Sequence, residues 1–222
     1  MKAVIIIFAG TNREQDMAHA LRLAGFTPEF MFAHETALPE DTKFVLLPGG
    51  FSYGDYLRTG AMAAVTPIMT AVKKFAQQGG YVMGVCNGFQ ILCEAGLLEG
   101  VLMHNHNGRF LCKTVDLAVE NTHTAFTTSY HDNADINLPI AHGEGNYFAD
   151  SDCLARLEQN QQIILRYKNN PNGSQNNIAG IINQAGNVLG MMPHPENHVD
   201  SFQGNQQGLG FFESIFNTLS CK

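Results

Sequence analysis

Apolar residues in the first half of the chain come in short solid runs, separated by stretches where they recur every three or four positions. Residues 2–8, Lys-Ala-Val-Ile-Ile-Ile-Phe, predict a first buried strand. Residues 12–24 place Met17, Leu21 and Ala24 on one face of a helix that Gly25 stops. Strands follow at 27–32 and 44–47, the latter buried on both faces, and then a long polar, glycine-rich loop at 48–60. A helix over 67–77 groups Ile68, Val72 and Phe75, and a buried strand over 81–85 comes after the turn signal Gln78-Gly79-Gly80. Strands alternating with helices imply βαβ units, right-handed crossovers and a parallel sheet covered on both faces.

The second half is patterned differently. Residues 113–120 alternate polar and apolar, as a half-exposed strand does. Further strands at 163–167, 178–183 and 188–192 are separated by turn residues at 169–173 and 184–187. That hairpin-like spacing predicts an antiparallel part packed beside the parallel one. A last helix carries Leu209, Phe212, Ile215, Phe216 and Leu219 as an apolar stripe. The expected fold class is α/β, a mostly parallel open sheet flanked by helices with an additional antiparallel part in the second half. No repeat or long linker divides the chain, so residues 1–222 read as one domain.

Composition narrows the function classes. A net charge of −7 over 222 residues argues against a nucleic-acid or anionic-membrane binder. No apolar run approaches the roughly 20 residues of a membrane span. The N-terminal run is short and is followed at once by Arg13, Glu14 and Asp16, so it reads as a strand rather than a signal peptide. Five scattered cysteines, an odd number without paired spacing, fit reduced thiols in a cytoplasm.

One of those thiols stands apart. In Gly84-Val85-Cys86-Asn87-Gly88-Phe89-Gln90 the cysteine sits where the strand turns sharply into a short helix over 87–95. A helix N-terminus favours a thiolate, and the flanking glycines permit the bend. A nucleophile needs a base, and the base an orienting group. Met192-Pro193-His194-Pro195-Glu196 offers both, with two prolines restricting the backbone and Glu196 two residues on. In an extended segment both side chains project to one side, so Glu196 can fix the tautomer of His194 while its other nitrogen faces Cys86. Pro48-Gly49-Gly50 ends a parallel strand, where such sheets place their sites. Its backbone N–H groups, with that of Asn87, can hold an oxyanion.

Other polar clusters carry less. His104 and His106 lack a third ligand at a telling spacing and read as a loop, so no metal site is expected. His123 and His131 receive no role. The run Ala141-His142-Gly143-Glu144-Gly145-Asn146-Tyr147 is either a substrate loop or a turn, and Tyr53, Asp55, Tyr56 and Arg58 suit recognition or a partner surface.

Together these residues resemble the class I (triad) glutamine amidotransferases over the chain from Lys2 to the last helix. The wording Pro-Gly-Gly-Phe-Ser-Tyr-Gly-Asp-Tyr-Leu-Arg from residue 48, Cys-Asn-Gly-Phe-Gln from 86 and His-Gly-Glu-Gly from 142 is similar to the glutaminases of phosphoribosylformylglycinamidine synthase. Glutaminases serving GMP or histidine synthesis usually carry other residues than Asn87 and Phe89. The resemblance implies a flavodoxin-like glutaminase fold and hydrolysis of L-glutamine. Cys86 would be nucleophile, His194 base and acid, Glu196 its orienter, and the N–H groups of Gly50 and Asn87 the oxyanion hole. Gln90, His142, Gly143 and Glu144 would hold the amino and carboxylate ends of glutamine. The chain itself would need no cofactor. ATP and Mg would be used by a large synthetase subunit that receives the ammonia, joined in some members by a small third subunit. Loop 53–58 is a candidate interface for that synthetase. The pattern departs at Asn197, where many members carry arginine, so any partner contact of that arginine is not carried over. Two rivals are a glutaminase for a different acceptor and a non-catalytic glutamine- or partner-binding protein of the same fold.

Overall fold

In a computed structural model, which describes residues 1–221, the first half alternates as its pattern predicts. Strand β1 (Lys2–Ile7) leads to helix α1 (Glu14–Leu23), β2 (Thr27–Phe32) and β3 (Thr42–Leu47). A short helix α2 (Ala61–Ala64), then α3 (Pro67–Gln77), β4 (Tyr81–Val85) and α4 (Asn87–Glu94) complete this half. Val4, Ile5, Ile6, Val45 and Leu46 are fully buried between helix layers. Each such aliphatic side chain contributes roughly 1.5–3 kcal/mol. Helix α3 starts with Pro67 in its first turn, where a missing N–H costs nothing, and buries Ile68, Met69 and Val72.

The second half comprises β5 (Val101–Met103), β6 (Leu111–Val119), β7 (Asp135–His142), β8 (Asn146–Phe148), α5 (Ser151–Gln159), β9 (Ile163–Tyr167), β10 (Ile178–Ile182), β11 (Val188–Met191) and α6 (Leu209–Ser220). Strands β5 and β8 form a small separate sheet. The other nine make one sheet in the order β2-β1-β3-β4-β11-β10-β9-β6-β7. Pairings from β2 through β11 are parallel, and those from β11 through β7 are antiparallel. The antiparallel part therefore continues the parallel sheet instead of packing beside it. The reason lies in β11, which returns antiparallel to β10 through the turn at Gly186 and also pairs in parallel with β4. Asn187 anchors that return, donating from Nδ2 to the carbonyls of Ala76 and Gly80, both at 2.8 Å.

Of the elements that escape the hydrophobic pattern, the two longest are each explained by one residue. Strand β7 contains Pro139, which argues against a central strand, but β7 is the sheet's edge, where a missing donor is tolerated. Helix α5 is announced by Asp150, whose carboxylate accepts the N–H of Cys153 at 2.8 Å.

The parallel part fixes where chemistry can sit. Its order is the doubly wound one, whose sites lie at the carboxyl ends of the strands. Residues following β3, β4 and β11, three adjacent strands, are Gly49-Gly50, Cys86 and His194.

Candidate active site

Cys86 is the bend itself. Its backbone stands at φ 51°, ψ −107°, a conformation that costs an L-residue about 1–3 kcal/mol and persists only where its surroundings enforce it. Here the Cys86 N–H donates to Met191 O at 2.8 Å, and the Cys86 carbonyl accepts from Gln90 N–H at 3.1 Å. Gly88 lets α4 start close against β3, since a Cβ there would stand 1.9 Å from the carbonyl oxygen of Leu47. The side chain is buried, with Sγ 3.7 Å from the carbonyl oxygen of Ala141.

His194 follows β11 and is held by its N–H, which donates to Pro139 O at 2.9 Å. Its Nδ1 lies 2.7 Å from Glu196 Oε1, and both residues are buried. The segment is not extended through Glu196, as the sequence suggests. Pro195–Asn197 forms a 3₁₀ turn, and it is this turn that brings the carboxylate under the ring. The ring faces Gly49, where a Cβ would stand 2.7 Å from His194 Cε1. Burial by itself would lower the imidazole pKa. The Glu196 carboxylate, followed by the charge of Cys86 and a loosely aligned contact with it, outweighs burial and raises it to about 10. That contact falls short of a directional hydrogen bond, and Nε2 has no hydrogen-bond partner among the described residues. With Nδ1 committed to Glu196, Nε2 is the nitrogen left to exchange a proton.

Gly50 forms an isolated antiparallel bridge with Thr11. The bonds across it run from Asn12 N–H to Gly49 O (3.3 Å) and from Phe51 N–H to Gly10 O (2.9 Å). The N–H of Gly50 is spent on neither, and that of Asn87 also finds no acceptor among the described residues. Asn87 turns its side chain inward instead, accepting from Ser52 N–H (3.1 Å) and donating to Gln90 Oε1 (3.0 Å). The two sequence-nominated donors are thus both free, one of them on a cleft of about 190 Å³ that also contains Cys86, Gln90 and residues 141–144.

The expected glutamine-holding residues divide into two groups. Gln90 is occupied internally, since its Nε2 donates to Glu144 O at 2.7 Å and so ties α4 to the 142–145 loop. His142 is buried against Asn105, whose Oδ1 lies 3.1 Å from its Nδ1 and also accepts Gly145 N–H at 3.0 Å. The shared oxygen makes Nδ1 the protonated nitrogen. Burial, and then the charge of His194, lower the His142 pKa to about 4. Gly143 and Glu144 remain on the cleft wall.

Sequence reasoning gave Asp55 only a general recognition or partner role and missed two contributors, Thr59 and Asn105. Asp55 lines the cleft, has a buried Oδ1 without a partner among the described residues, and has its pKa raised by burial and then by Glu144. Thr59 donates to Glu144 Oε2 at 2.8 Å. Asn105 organises the loop by donating to Arg109 O and His142 O, both at 2.8 Å. The signal for Asp55 is an acid two residues from the Phe-Ser-Tyr run that follows a strand-end Gly-Gly. Nothing in sequence marks Asn105. His104 lies in the loop expected for it, with Nδ1 3.4 Å from Glu144 Oε1.

Comparison with known proteins accords with this geometry. The model of a CobB/CobQ-like glutamine amidotransferase domain matches residues 1–214. The chain is 52% identical over 225 residues to phosphoribosylformylglycinamidine synthase subunit PurQ of Nitrobacter winogradskyi, covering 97% of each protein. The same subunit from Lacticaseibacillus paracasei is 53% identical over 218 residues, covering 98% of this chain and 95% of the relative. A solved structure of PurLQS from Thermotoga maritima superposes with a TM-score of 0.91 at 44% identity, over 98% of each chain. The chain belongs to the CobB/CobQ-like glutamine amidotransferase family, and within it stands with the PurQ subunits of phosphoribosylformylglycinamidine synthase.

Proposed function

We propose that this chain is the glutaminase subunit of phosphoribosylformylglycinamidine synthase in purine biosynthesis. It hydrolyses L-glutamine to glutamate and ammonia through a thioester on Cys86. The observation that carries this reading is the convergence, from adjacent strand ends, of a strained cysteine and a buried His194–Glu196 pair joined at 2.7 Å.

In this mechanism the sulfur attacks the side-chain amide carbon, and the carbonyl electrons move to oxygen. The free N–H groups of Gly50 and Asn87 donate to that oxygen, and such preorganised donors are each worth about 2.7–4 kcal/mol of barrier. The proton from the thiol, held on His194 Nε2 whose pKa is raised to about 10, passes to the departing nitrogen, so the C–N bond breaks with release of neutral ammonia. Glu196 keeps Nδ1 protonated throughout. Water then adds to the thioester with His194 as base, and glutamate leaves as the thiol is restored. Asp55 and Glu144 give one side of the cleft an acidic character suited to the α-ammonium of glutamine, while the Gly143 N–H is available to its carboxylate.

The acceptor is the second half of the proposal. Ammonia passes to a large synthetase subunit that binds ATP and Mg and converts formylglycinamide ribonucleotide to the amidine in the cytoplasm, with a small third subunit as a further partner. No helix among the described residues is long and apolar enough to cross a membrane. Mixing the chain with the synthetase subunit, ATP, Mg, glutamine and formylglycinamide ribonucleotide tests both halves. Glutamine-dependent amidine formation and enhanced glutamate release are expected. Glutamate release with no amidine would indicate a different acceptor, and neither product would indicate a non-catalytic binding protein.

A further inference from the structure

Three Asn-Gly pairs occur in the chain, at residues 87–88, 107–108 and 172–173. A glycine after asparagine leaves the next backbone nitrogen unshielded, because no Cβ stands beside it. That nitrogen can then reach the side-chain amide carbon. The fold treats the three pairs differently. Asn87 is buried at the start of α4, where its Oδ1 accepts Ser52 N–H and its Nδ2 donates to Gln90 Oε1. Asn172 is fully buried. Its Nδ2 donates to Gly145 O at 2.8 Å, and its Oδ1 accepts from Ser174 Oγ at 2.8 Å.

Asn107-Gly108 stands in the open. Residues 106–110 are all exposed, and nothing lies within 4 Å of where a Cβ on Gly108 would stand. Arg109 N–H donates to Asn107 Oδ1 at 3.0 Å, which polarises the amide carbonyl and makes its carbon a better electrophile. Gly108 N–H donates to Asn105 O at 2.8 Å, a single turn bond. Such a bond contributes about 0.5–1.5 kcal/mol in water, so local opening frees the nitrogen often. Freeing Asn87 or Asn172 instead requires unpacking the start of α4 or the residues around Gly145.

We propose that Asn107 is a site of covalent self-modification, at which the side-chain amide closes on Gly108 and hydrolyses to aspartate and isoaspartate. The Gly108 nitrogen bonds to Asn107 Cγ and gives up its proton. The Cγ–N bond of the amide breaks, and ammonia leaves with that proton. Water then opens the five-membered imide. Opening at the side-chain carbonyl yields aspartate. Opening at the main-chain carbonyl yields isoaspartate, whose backbone runs through the side chain and is one carbon longer. That extra carbon falls in the loop that shapes the cleft. Asn105 donates to Arg109 O and His142 O, and its Oδ1 accepts Gly145 N–H. Lengthening the chain between residues 107 and 108 displaces Arg109 from Asn105 and loosens the cleft wall at 142–145. Aspartate adds no carbon and keeps an acceptor for Arg109 N–H, so it leaves that wall in place. The modification is independent of the glutaminase reading, whereas its effect on activity rests on it.

The test incubates the folded chain, the chain unfolded in urea, and folded Asn107→Gln in mildly alkaline buffer. Peptide mapping and isoaspartyl methyltransferase labelling locate and count the products. In the folded chain Asn107 should convert at least about tenfold faster than Asn87 or Asn172, whereas in urea the three should differ by no more than about threefold. Glutamate release, measured with the synthetase subunit and its ligands, should fall in proportion to isoaspartate content. Asn107→Gln should hold its starting rate through the same incubation, and freshly prepared Asn107→Asp should stay within about twofold of the parent, since Asn107 lies outside the cleft lining. An unchanged Asn107 in the folded chain, or conversion of Asn87 or Asn172 at its rate, would overturn the site. Equal loss of activity in Asn107→Gln, or full activity in an isoaspartate-rich chain, would overturn its link to the cleft. A fresh parent chain that releases no glutamate would leave the modification standing and remove the glutaminase reading instead.

Discussion

Gly49→Ala is a one-methyl perturbation aimed at the alignment of His194. The backbone at Gly49 is not in the left-handed region, so alanine is conformationally allowed and its effect is steric. The new Cβ would stand 2.7 Å from His194 Cε1 and 3.5 Å from Nδ1, so the Cε1 contact is about 0.7 Å inside the 3.4 Å at which ordinary contact begins. The ring cannot retreat freely, because the Glu196 carboxylate holds Nδ1 at 2.7 Å and the ring is buried. Relief of the overlap therefore moves Nε2 relative to Cys86 or stretches the bond to Glu196. Misplacement on the order of 1 Å costs about 10²-fold, equivalent to about 2.7 kcal/mol of barrier. Steady-state glutamate release in the presence of the synthetase subunit should show kcat down about 10²-fold. KM should change little, because Gly49 is not part of the cleft lining. A melting temperature within a few degrees of the parent shows that the fold is kept. A folded Gly49→Ala chain with kcat within threefold of the parent would refute the claim that His194 is positioned through this contact.

Replacing Glu196 by Gln should keep the fold and lower kcat by about 10²–10⁴-fold, because the amide can present N–H toward Nδ1 and favour the wrong tautomer. A pH–rate profile and kcat of Glu196→Gln like the parent's would count against the triad. A glutamine-mimicking alkylator should label Cys86 alone, although Cys112 and Cys221 are the exposed thiols. Burial pushes Cys93 strongly upward and Cys153 to about 11, so peptide mapping should find both unmodified. His142 has a folded pKa of about 4 against an ordinary 6.5, so it is neutral in the fold while the unfolded chain takes up a proton. It adds no penalty above pH 6.5, and its cost grows as pH falls from 6.5 to 4, reaching about 3 kcal/mol. Urea denaturation at pH 7 and pH 4 should show His142→Gln losing less stability than the parent across that interval. An identical loss would contradict a buried neutral His142.

The parallel half was legible because its strands are solid apolar runs and its helices keep a helical period, two patterns that are hard to confuse. Cys86, Gly50 and His194 could be read as one site because each follows a strand, and strand ends are where this architecture gathers residues. The pairing of β11 with β4 was not legible, since hairpin spacing says nothing about a strand's second neighbour. The turn-end Asn187, bonded to Ala76 and Gly80, settles it through contacts more than a hundred residues apart in sequence. Pro139 hid β7 because sequence does not distinguish an edge strand from a loop. Inside the site, the resemblance makes Gln90 a substrate ligand, and only the fold reveals that its Nε2 also donates to Glu144 O while the residue lines the cleft. Asp55 was visible as a polar loop residue, but its approach to Glu144 depends on the left-handed turn around it.

The central claim is that Cys86 forms a covalent bond to the γ-carbonyl of glutamine. Rapid acid quench of the chain turning over glutamine with its synthetase partner, followed by peptide mass analysis, measures this directly. The account predicts one γ-glutamyl group on the peptide containing Cys86, sensitive to hydroxylamine as a thioester is, and no detectable turnover by Cys86→Ala. A Cys86→Ala chain that releases glutamate at the parent rate, or a γ-glutamyl group found on another residue, would contradict it.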